Sequence, residues 1–336
     1  MDIQARPLVL VTHPRERLAD YFGDQALGQL RAVAKVRLNA FDTDLSSLQL
    51  IEAAQGCALI IAYRQTMLDA TVFEALPVLQ AVVRCAVDIR TVDVAAASRH
   101  GVLVTQASAG FMASVSEWVI GVMIDLGRHI TGAATSYQAG AEVRPRMGRE
   151  LRGATLGVIG YGQISRYLCP IAQALGMRVV VTDPHVQVNA PGIVQTGLPE
   201  LLAEADYVVC LALANASTEN LLGDSAFATM KQGALFVNAA RGNLVDEDAL
   251  LRALDSGHLG GAALDVGRSA DQMPSLSLAR HARVIATPHI GGLTPPAIAH
   301  QALESVAQAS EILLGRIPPG AVNAHAATRL RATAPG

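Results

Sequence analysis

The sequence predicts an α/β fold in which helices cover doubly wound parallel sheets. The 336 residues exceed the size of one ordinary domain and suit two. Hydrophobic residues make up 51% of the chain, whereas aromatic residues account for 4% and charged residues for 16%. This mixture is typical of large aliphatic cores. Short apolar runs also alternate with helical patterns, as expected where helices connect parallel strands.

Two series of short apolar runs predict the strands. Each run is continuously apolar rather than alternating, which indicates strands that are buried on both faces. The first series is "LVLVTH" (8–13), "CALIIAY" (57–63), "QAVVRC" (80–85) and "GVLVTQ" (101–106). The second series is "TLGVIG" (155–160), "MRVVVTD" (177–183), "YVVCLAL" (207–213), "ALFVNAA" (234–240), "GAALDV" (261–266) and "ARVIATP" (282–288).

Two helical patterns are long enough to connect domains. The stretch 114–130 carries an apolar stripe with a spacing of 3.6 residues. The stretch 295–315 has proline in its first turn and ends at Gly315. The segment that follows has no periodicity, and we expect its end to form a loose tail.

Charge and cysteine usage exclude several classes of function. A formal net charge of −3 argues against nucleic acid or an anionic membrane surface as a partner. No apolar run reaches the length of about 18 residues that a membrane-spanning helix needs, and the N-terminus has no secretory signal pattern. The four cysteines lie far apart without metal-ligand spacing. We therefore expect buried thiols, no metal site and a cytoplasmic location.

The stretch "TLGVIGYGQIS" predicts a dinucleotide-binding loop. A strand leads into Gly160 and Gly162, and Ser165 replaces the third glycine of the G-x-G-x-x-G pattern before a helix begins. The amides at the start of that helix would face the cofactor phosphates. The next strand ends in Asp183, where a carboxylate accepts hydrogen bonds from a ribose 2′-hydroxyl and repels a 2′-phosphate. We therefore predict NAD rather than NADP.

Two further residues follow apolar strands in this half of the chain. Arg241 stands in "VNAARGNLVDEDAL", and His289 stands in "ATPHIGGLTPP". A buried guanidinium needs an anion or other acceptors, so Arg241 alone is compatible with either a structural ion pair or a ligand site. His289 would project at the carboxyl end of its strand, where ligands bind in parallel sheets.

Taken in order, "TLGVIGYGQIS", "VNAARGNLVDEDAL", "GAALDV" and "TPHIGG" resemble the D-isomer-specific 2-hydroxyacid dehydrogenases. The resemblance covers most of the chain and extends more loosely to its N-terminal part. It implies a Rossmann NAD-binding domain and a flavodoxin-like substrate domain, both doubly wound, with the active site between them. Residues 104–293 would form the first domain, and residues 1–103 with 294–336 would form the second. A homodimer built through the NAD-binding domain is also implied.

The resemblance also assigns roles to individual residues. Arg241 matches the arginine that binds the substrate carboxylate, and His289 matches the acid–base residue. Histidine suits proton transfer in both directions because its ordinary pKa, about 6.5, lies near neutral pH. Asp265 matches the residue that contacts the nicotinamide carboxamide. The remaining expected cofactor contacts are Gln163, Ile164 and Ala240.

The sequence departs from the family pattern at the partner of the histidine. The family has a glutamate there, whereas this chain has Ala270 followed by Asp271. We expect Asp271 to pair with His289 as a shorter substitute. The alternative is that Asp271 is a solvent-facing loop residue.

The substrate loop departs as well. The family's glycine-rich run corresponds here to Val87, Asp88, Ile89 and Arg90, and the backbone amides of this loop would bind the substrate carboxylate. Arg90 would either hold a second anionic group of the substrate or form an ion pair with Asp88 or Asp93. Arg64 is a further candidate substrate contact.

These residues predict an NAD-dependent oxidoreductase of a small D-2-hydroxy acid and its 2-oxo acid. Candidate substrates are glyoxylate, hydroxypyruvate or a related acid with one or two anionic groups. The alternative is a non-catalytic protein that senses NAD(H) on the same scaffold, since this chain departs from the family at the glutamate and in the substrate loop.

Overall fold

The computed structural model describes residues 6–330 and contains two parallel sheets. The strands are β1 (Leu8–Val11), β2 (Lys35–Leu38), β3 (Leu59–Ala62), β4 (Ala81–Arg84), β5 (Leu103–Gln106), β6 (Thr155–Ile159), β7 (Arg178–Thr182), β8 (Ile193–Gln195), β9 (Tyr207–Cys210), β10 (Leu235–Asn238), β11 (Gly261–Leu264) and β12 (Val284–Ala286).

Helices connect successive strands in both sheets, except between β7 and β8. They are α1 (Leu18–Tyr21), α2 (Gly23–Val33), α3 (Ser47–Ala53), α4 (Ala70–Ala75), α5 (Val94–Arg99), α6 (Met112–Arg128), α7 (Ile130–Gln138), α8 (Gln163–Ala174), α9 (Leu198–Glu204), α10 (Asp224–Thr229), α11 (Glu247–Asp255), α12 (Leu276–Ala279) and α13 (Pro295–Leu313). Among the described residues, no helix is both long and apolar enough to cross a membrane.

The chain divides into two compact units. Unit 1 comprises Met1–Gly110 and Pro295–Gly336, and unit 2 comprises Phe111–Thr294. The sheet of unit 1 has the strand order β2-β1-β3-β4-β5, and that of unit 2 has the order β12-β11-β10-β9-β6-β7-β8. Every strand pair is parallel. The predicted fold class is therefore confirmed.

Each sheet is buried on both faces. In β1, Val9 and Val11 pack into one apolar cluster, and Leu10 packs into another on the opposite face. In β9, Tyr207 and Val209 face one cluster while Val208 and Cys210 face the other. A core on both faces explains why the strands read as continuous apolar runs.

The residues after α13 pack back onto unit 1. Ala321 forms an antiparallel bridge with Thr105 of β5. The buried side chain of Asn323 accepts from the Val104 amide at 2.8 Å and donates to the Val102 carbonyl at 2.9 Å. The segment after α13 is therefore ordered around residues 321–323, whereas its last six residues, at the end that we expect to form a loose tail, lie outside the described range.

Candidate active site

The glycine loop lies where the strand order of unit 2 reverses, between β6 and β9. Gly160 has a φ of +92°, and a Cβ there would lie 2.7 Å from the Ala212 Cα. Both constraints require glycine. Gly162 precedes α8 and is exposed, and a Cβ there would meet no atom within 4 Å. The space beside Gly162 is therefore open to a phosphate, which fits the cofactor that the loop predicts.

Ser165 and Asp183 hold the glycine loop in place. The buried Ser165 hydroxyl donates to the Gly160 carbonyl at 2.6 Å, which explains how serine replaces the third glycine. The Asp183 carboxylate accepts from the amides of Tyr161 at 2.7 Å and His185 at 2.8 Å. Desolvation would raise the pKa of Asp183, but the amide donors outweigh it and the pKa is lowered. Gln163 is exposed and Ile164 half-buried in the first turn of α8.

Three neighbouring strands of unit 2 are followed by candidate catalytic or cofactor-binding residues. Arg241 follows β10, Asp265 follows β11 and His289 follows β12, and these three strands are adjacent in the sheet. Because all three run parallel, their carboxyl ends lie at one edge. That edge also carries the glycine loop after β6 and Asp183 after β7.

The turn at residues 287–291, the histidine turn, is fixed by Asp265. One carboxylate oxygen, Oδ1, accepts from the Thr287 hydroxyl at 2.6 Å and the Ile290 amide at 2.8 Å. The other oxygen, Oδ2, accepts from the Gly291 amide at 2.7 Å. Asp265 is 4% exposed. The sequence suggested a cofactor contact for this residue and did not reveal its bonds to the turn.

His289 contacts Asp271, and the contact is with the main chain of Asp271. The Nδ1 atom of His289 lies 2.8 Å from the backbone carbonyl oxygen of Asp271. The sequence assigned this contact to the carboxylate of Asp271, and the structure places the carbonyl there instead. Both residues have a left-handed backbone, with φ of 57° at His289 and 52° at Asp271.

Arg241 is half-buried in a turn that a buried asparagine shapes. Asn238 donates to the Arg241 carbonyl at 3.0 Å and accepts from the Ala240 amide at 3.1 Å. The Arg241 Nη1 donates to the Ala240 carbonyl at 2.7 Å. A Cβ at the next residue, Gly242, would lie 2.1 Å from the backbone of Gly267. The turn that carries Arg241 therefore contacts the loop that leads to Asp271.

In unit 1, the candidate substrate loop contains an ion pair. The Arg90 guanidinium donates to the Asp88 carboxylate, with Nη2 2.7 Å from Oδ2 and Nε 3.0 Å from both oxygens. The hydrogen bond to Asp88 raises the pKa of Arg90. Of the two alternatives for Arg90, the structure shows the ion pair with Asp88. Val87 and Ile89 are half-buried in the same loop.

Other polar residues gather at the carboxyl ends of the unit 1 strands. The Arg64 guanidinium lies over the Tyr21 ring, 5.5 Å from its centroid. Sequence reasoning did not identify Arg84, which is fully buried at the end of β4 and donates to the Thr66 carbonyl at 3.0 Å, the Tyr63 carbonyl and the Thr91 hydroxyl. Burial lowers the pKa of Arg84 to about 10.

His13 was also not identified from the sequence. It is 1% exposed and packs against the rings of Phe22 and Tyr63, with centroid distances of 5.1 and 5.0 Å. Burial lowers its pKa to about 3. The sequence signal was similar to that of His289, because His13 is a histidine at the end of an apolar run.

Within residues 6–330, no group of three or more histidine, cysteine, aspartate or glutamate side chains is arranged to bind a metal ion. The four cysteines are buried and unpaired. Burial raises the pKa of Cys85 to about 11 and those of Cys169 and Cys210 to about 12. These thiols are therefore poor nucleophiles at neutral pH.

Comparison with known proteins identifies similar chains along most of the sequence. A family model described as "D-isomer specific 2-hydroxyacid dehydrogenase, NAD binding domain" matches residues 120–291. The D-3-phosphoglycerate dehydrogenase of Rattus norvegicus is 38% identical over 290 residues, which cover 85% of this chain and 54% of the relative. That of Synechocystis is 30% identical over 310 residues, which cover 91% of this chain and 55% of the relative. The chain thus spans about half the length of these relatives.

Solved structures show the same fold. The TT0316 protein from Thermus thermophilus superposes with a TM-score of 0.85 at 30% identity, covering 94% of this chain and 99% of that chain. A structure titled as a D-isomer specific 2-hydroxyacid dehydrogenase from Polaromonas reaches a TM-score of 0.86 at 22% identity, with coverage of 94% and 99%. At that identity, the second comparison bears on the fold alone.

Proposed function

Because the chain belongs to the D-isomer-specific 2-hydroxyacid dehydrogenase family, we propose that it interconverts a small D-2-hydroxy acid and its 2-oxo acid with NAD as cofactor. The observation that carries this proposal is the common sheet edge of unit 2. Three adjacent strands there are followed by Arg241, Asp265 and His289, on the same edge as the glycine loop. Ligands of open parallel sheets bind at this edge.

Arg241 binds the substrate carboxylate in this proposal. A guanidinium presents its donors in a planar fork that matches two carboxylate oxygens. The same charge polarises the adjacent carbonyl and stabilises negative charge that develops on its oxygen. The hydrogen bonds of Asn238 orient the turn from which Arg241 projects.

His289 moves the proton. In reduction it donates a proton to the carbonyl oxygen, and in oxidation it removes the proton of the substrate hydroxyl. Bound nicotinamide supplies or accepts the hydride. Asp265 holds the histidine turn, and Asp271 contributes the carbonyl that contacts the ring.

Residues of the glycine loop and of the strand that follows bind the cofactor. The amides at the start of α8 face the pyrophosphate, with Gly162 leaving room for it. The Asp183 carboxylate accepts hydrogen bonds from the ribose hydroxyls and repels a 2′-phosphate. Gln163, Ile164 and Ala240 complete the proposed cofactor contacts.

The substrate is proposed to be glyoxylate, hydroxypyruvate or a related acid with two anionic groups. The similar D-3-phosphoglycerate dehydrogenases are named for a substrate of the last kind. We propose that unit 1 (Met1–Gly110 and Pro295–Gly336) is the substrate domain and unit 2 (Phe111–Thr294) the NAD-binding domain, because the expected boundary at residue 103 would divide β5, which pairs with β4 in the sheet of unit 1. The backbone amides of residues 87–90 would bind the substrate carboxylate. Arg64 would contact the side chain of the substrate. A second anion would compete with Asp88 for Arg90.

The direct test is a substrate panel. NADH oxidation is followed with glyoxylate, hydroxypyruvate, pyruvate and a diacid, and NAD⁺ reduction is followed with D-3-phosphoglycerate. We expect turnover with at least one of them, and higher kcat/KM with NADH than with NADPH. Tight NADH binding without turnover on any of them would contradict the proposal and support a non-catalytic NAD(H) sensor. The matched relatives are named as dehydrogenases, so the comparisons do not support that alternative.

The chain is further proposed to act as a cytoplasmic homodimer. Helix α7 has no buried residue, and the following stretch to residue 150 is exposed along almost its whole length. Tyr137 and Met147 are 77% and 97% exposed, although apolar surface of this kind is usually covered. A second copy of unit 2 would cover it. The four unpaired, buried cysteines support a reducing compartment.

A further inference from the structure

The hydrogen bond at His289 Nδ1 determines which ring nitrogen carries the proton. A carbonyl oxygen can only accept, so Nδ1, 2.8 Å from the Asp271 carbonyl, must donate. In a neutral ring the other nitrogen, Nε2, then has a lone pair and no hydrogen. The contact therefore selects one tautomer and leaves Nε2 as the atom that can exchange a proton.

The loop at residues 267–274 is shaped to present this carbonyl. Asp271 and Gln272 both have a left-handed backbone, with φ of 52° and 59°. Two consecutive non-glycine residues in this region are uncommon and persist only where their surroundings require it. The loop closes on itself, because the Gly267 amide donates to the Gln272 carbonyl at 2.7 Å and the Gln272 amide to the Ser269 carbonyl at 3.0 Å.

Arg268 anchors this loop to the segment that follows Arg241. Its guanidinium donates to the carbonyls of Asn243 and Val245, each at 3.1 Å from Nη2, and forms an ion pair with Glu219 at 2.9 Å. The Arg268 amide donates to Glu247 at 3.1 Å. The position of the Asp271 carbonyl is therefore set by contacts outside its own turn.

The backbone that follows His289 is held by Asp265, whose carboxylate accepts from the amides of Ile290 and Gly291. His289 itself has a φ of 57°. Its main chain and its ring are thus fixed by two different groups, on the β11 strand end and on the 267–274 loop. Neither group is the glutamate that the family pattern places beside the histidine.

We propose that the main-chain carbonyl of Asp271, rather than a side-chain carboxylate, is the positioning group for His289. It fixes the Nδ1–H tautomer and directs Nε2 to the substrate oxygen. The part that concerns the substrate rests on the proposed function, whereas the tautomer does not require any turnover.

The test is spectroscopic and uses the full chain. Long-range ¹H–¹⁵N correlation spectra of protein labelled with ¹⁵N-histidine report which ring nitrogen is protonated. The signals of His289 are assigned by their loss in the His289→Gln variant. At a pH where the ring is neutral, we expect Nδ1 protonated and Nε2 unprotonated. The opposite tautomer would overturn the proposal whether or not the protein is a dehydrogenase.

A matched pair of substitutions separates the carbonyl from the side chains. Gln272→Pro is incompatible with a φ of 59° and also restricts Asp271, so it moves the carbonyl between them. Gln272→Gly removes the same side chain but tolerates that φ. We expect Gln272→Gly to keep the Nδ1–H tautomer and Gln272→Pro to lose it, with kcat at least about 100-fold lower in Gln272→Pro than in Gln272→Gly. Equal tautomers and equal kcat in the two variants would contradict the proposal.

Asp271→Gly provides a second test of the proposal, and its outcome does not depend on whether the Gln272→Pro variant folds. It removes the carboxylate, leaves the carbonyl and suits a left-handed backbone. We expect the Nδ1–H tautomer of His289 to persist, and the pH midpoint of kcat, where turnover is measurable, to stay in place. Loss of that tautomer would assign the role to the carboxylate and overturn the proposal.

Discussion

Arg84 and Arg241 show that one sequence signal can have two structural outcomes. Both arginines adjoin an apolar run, since Arg84 lies near the end of the run at 80–85 and Arg241 directly follows the run at 234–240. Arg84 is still within its strand, where it pairs in register with Ala62 and Gln106, and its guanidinium is buried against main-chain carbonyls. Arg241 comes after the last paired residue of β10, in a half-buried turn. The sequence does not define the end of a strand to within one residue, so it does not distinguish an arginine that is buried within a strand from one in the turn that follows.

For Arg241, we expect the positive charge and the planar shape of the guanidinium to contribute separately to kcat/KM. Arg241→Ala should lower kcat/KM by about 100-fold or more, which corresponds to about 2.7 kcal/mol of transition-state binding. Arg241→Lys keeps the charge but loses the planar fork, so its loss should be smaller, about tenfold. Steady-state kinetics on the best substrate and NADH titration by fluorescence measure both effects. Arg252→Ala, which breaks an exposed ion pair with Asp224, is the control. Wild-type kcat/KM in Arg241→Ala would refute the assignment.

Asp265 is the second residue whose role can be tested. Asn at this position has one acceptor oxygen and one donor nitrogen, so it cannot accept from Thr287, Ile290 and Gly291 together. We expect Asp265→Asn to reduce the free energy of unfolding by about 1–3 kcal/mol and to lower kcat more than it raises KM. Urea denaturation and kinetics measure these quantities, with Asp255→Asn as the control, since Asp255 is exposed.

The same variant separates two roles for Asp265. If the carboxylate holds the histidine turn, NADH affinity should change little while kcat falls. If it mainly contacts the nicotinamide carboxamide, NADH affinity should fall first. The sequence pointed only to the second role, because the contacts with the histidine turn depend on β11 and β12 being neighbours in the sheet.

At the level of elements, the strands that carry a continuous apolar run could be predicted. All the apolar runs form strands, whereas β2 and β8 were not predicted. Both lie at the edge of a sheet. Their sequences, "KVRL" and "IVQ", are short and mixed because none of their residues is buried. A continuous apolar run is typical of strands that helices cover on both faces, but β12, an edge strand without a buried residue, carries such a run as well.

The long helical pattern at 114–130 was also only partly correct. Helix α6 ends at Arg128, and His129 adopts a left-handed backbone with a φ of 58°. Helix α7 then begins as a separate helix and buries none of its residues. An apolar stripe predicts the helix that packs on the core, but it carries no information on a helix without an internal partner.

Gly160 and Gly162 of the glycine loop should respond differently to substitution by alanine. In Gly160→Ala the new Cβ would lie 2.7 Å from the Ala212 backbone at a φ of +92°, so the loop must move and stability should fall. In Gly162→Ala the Cβ meets no protein atom, so stability should be retained while the methyl group obstructs the pyrophosphate. We expect Gly162→Ala to weaken NADH binding at an unchanged Tm. Unchanged NADH affinity in Gly162→Ala would place the cofactor elsewhere.

At the level of the whole molecule, parallel topology concentrates chemistry at one edge of each sheet. In unit 2 the strand ends carry the glycine loop, Asp183, Arg241, Asp265 and His289. In unit 1 the corresponding ends carry His13, Arg64 and Arg84. The sequence could identify which residues follow strands, since that is a local property. It could not identify which strand ends are neighbours, because strand order depends on contacts between distant segments.

Oligomeric state is the remaining property at this scale, and the exposed surface of unit 2 predicts its response to mutation. Sedimentation velocity should give twice the chain mass of 35.1 kDa. A charge at Tyr137, which is 77% exposed on α7, would have to be desolvated in a dimer, so Tyr137→Asp should shift the equilibrium toward the monomer. Leu48→Asp is the matched control, because Leu48 is 81% exposed on α3 of unit 1. A dimer that Leu48→Asp dissociates and Tyr137→Asp leaves intact would place the interface on unit 1 instead.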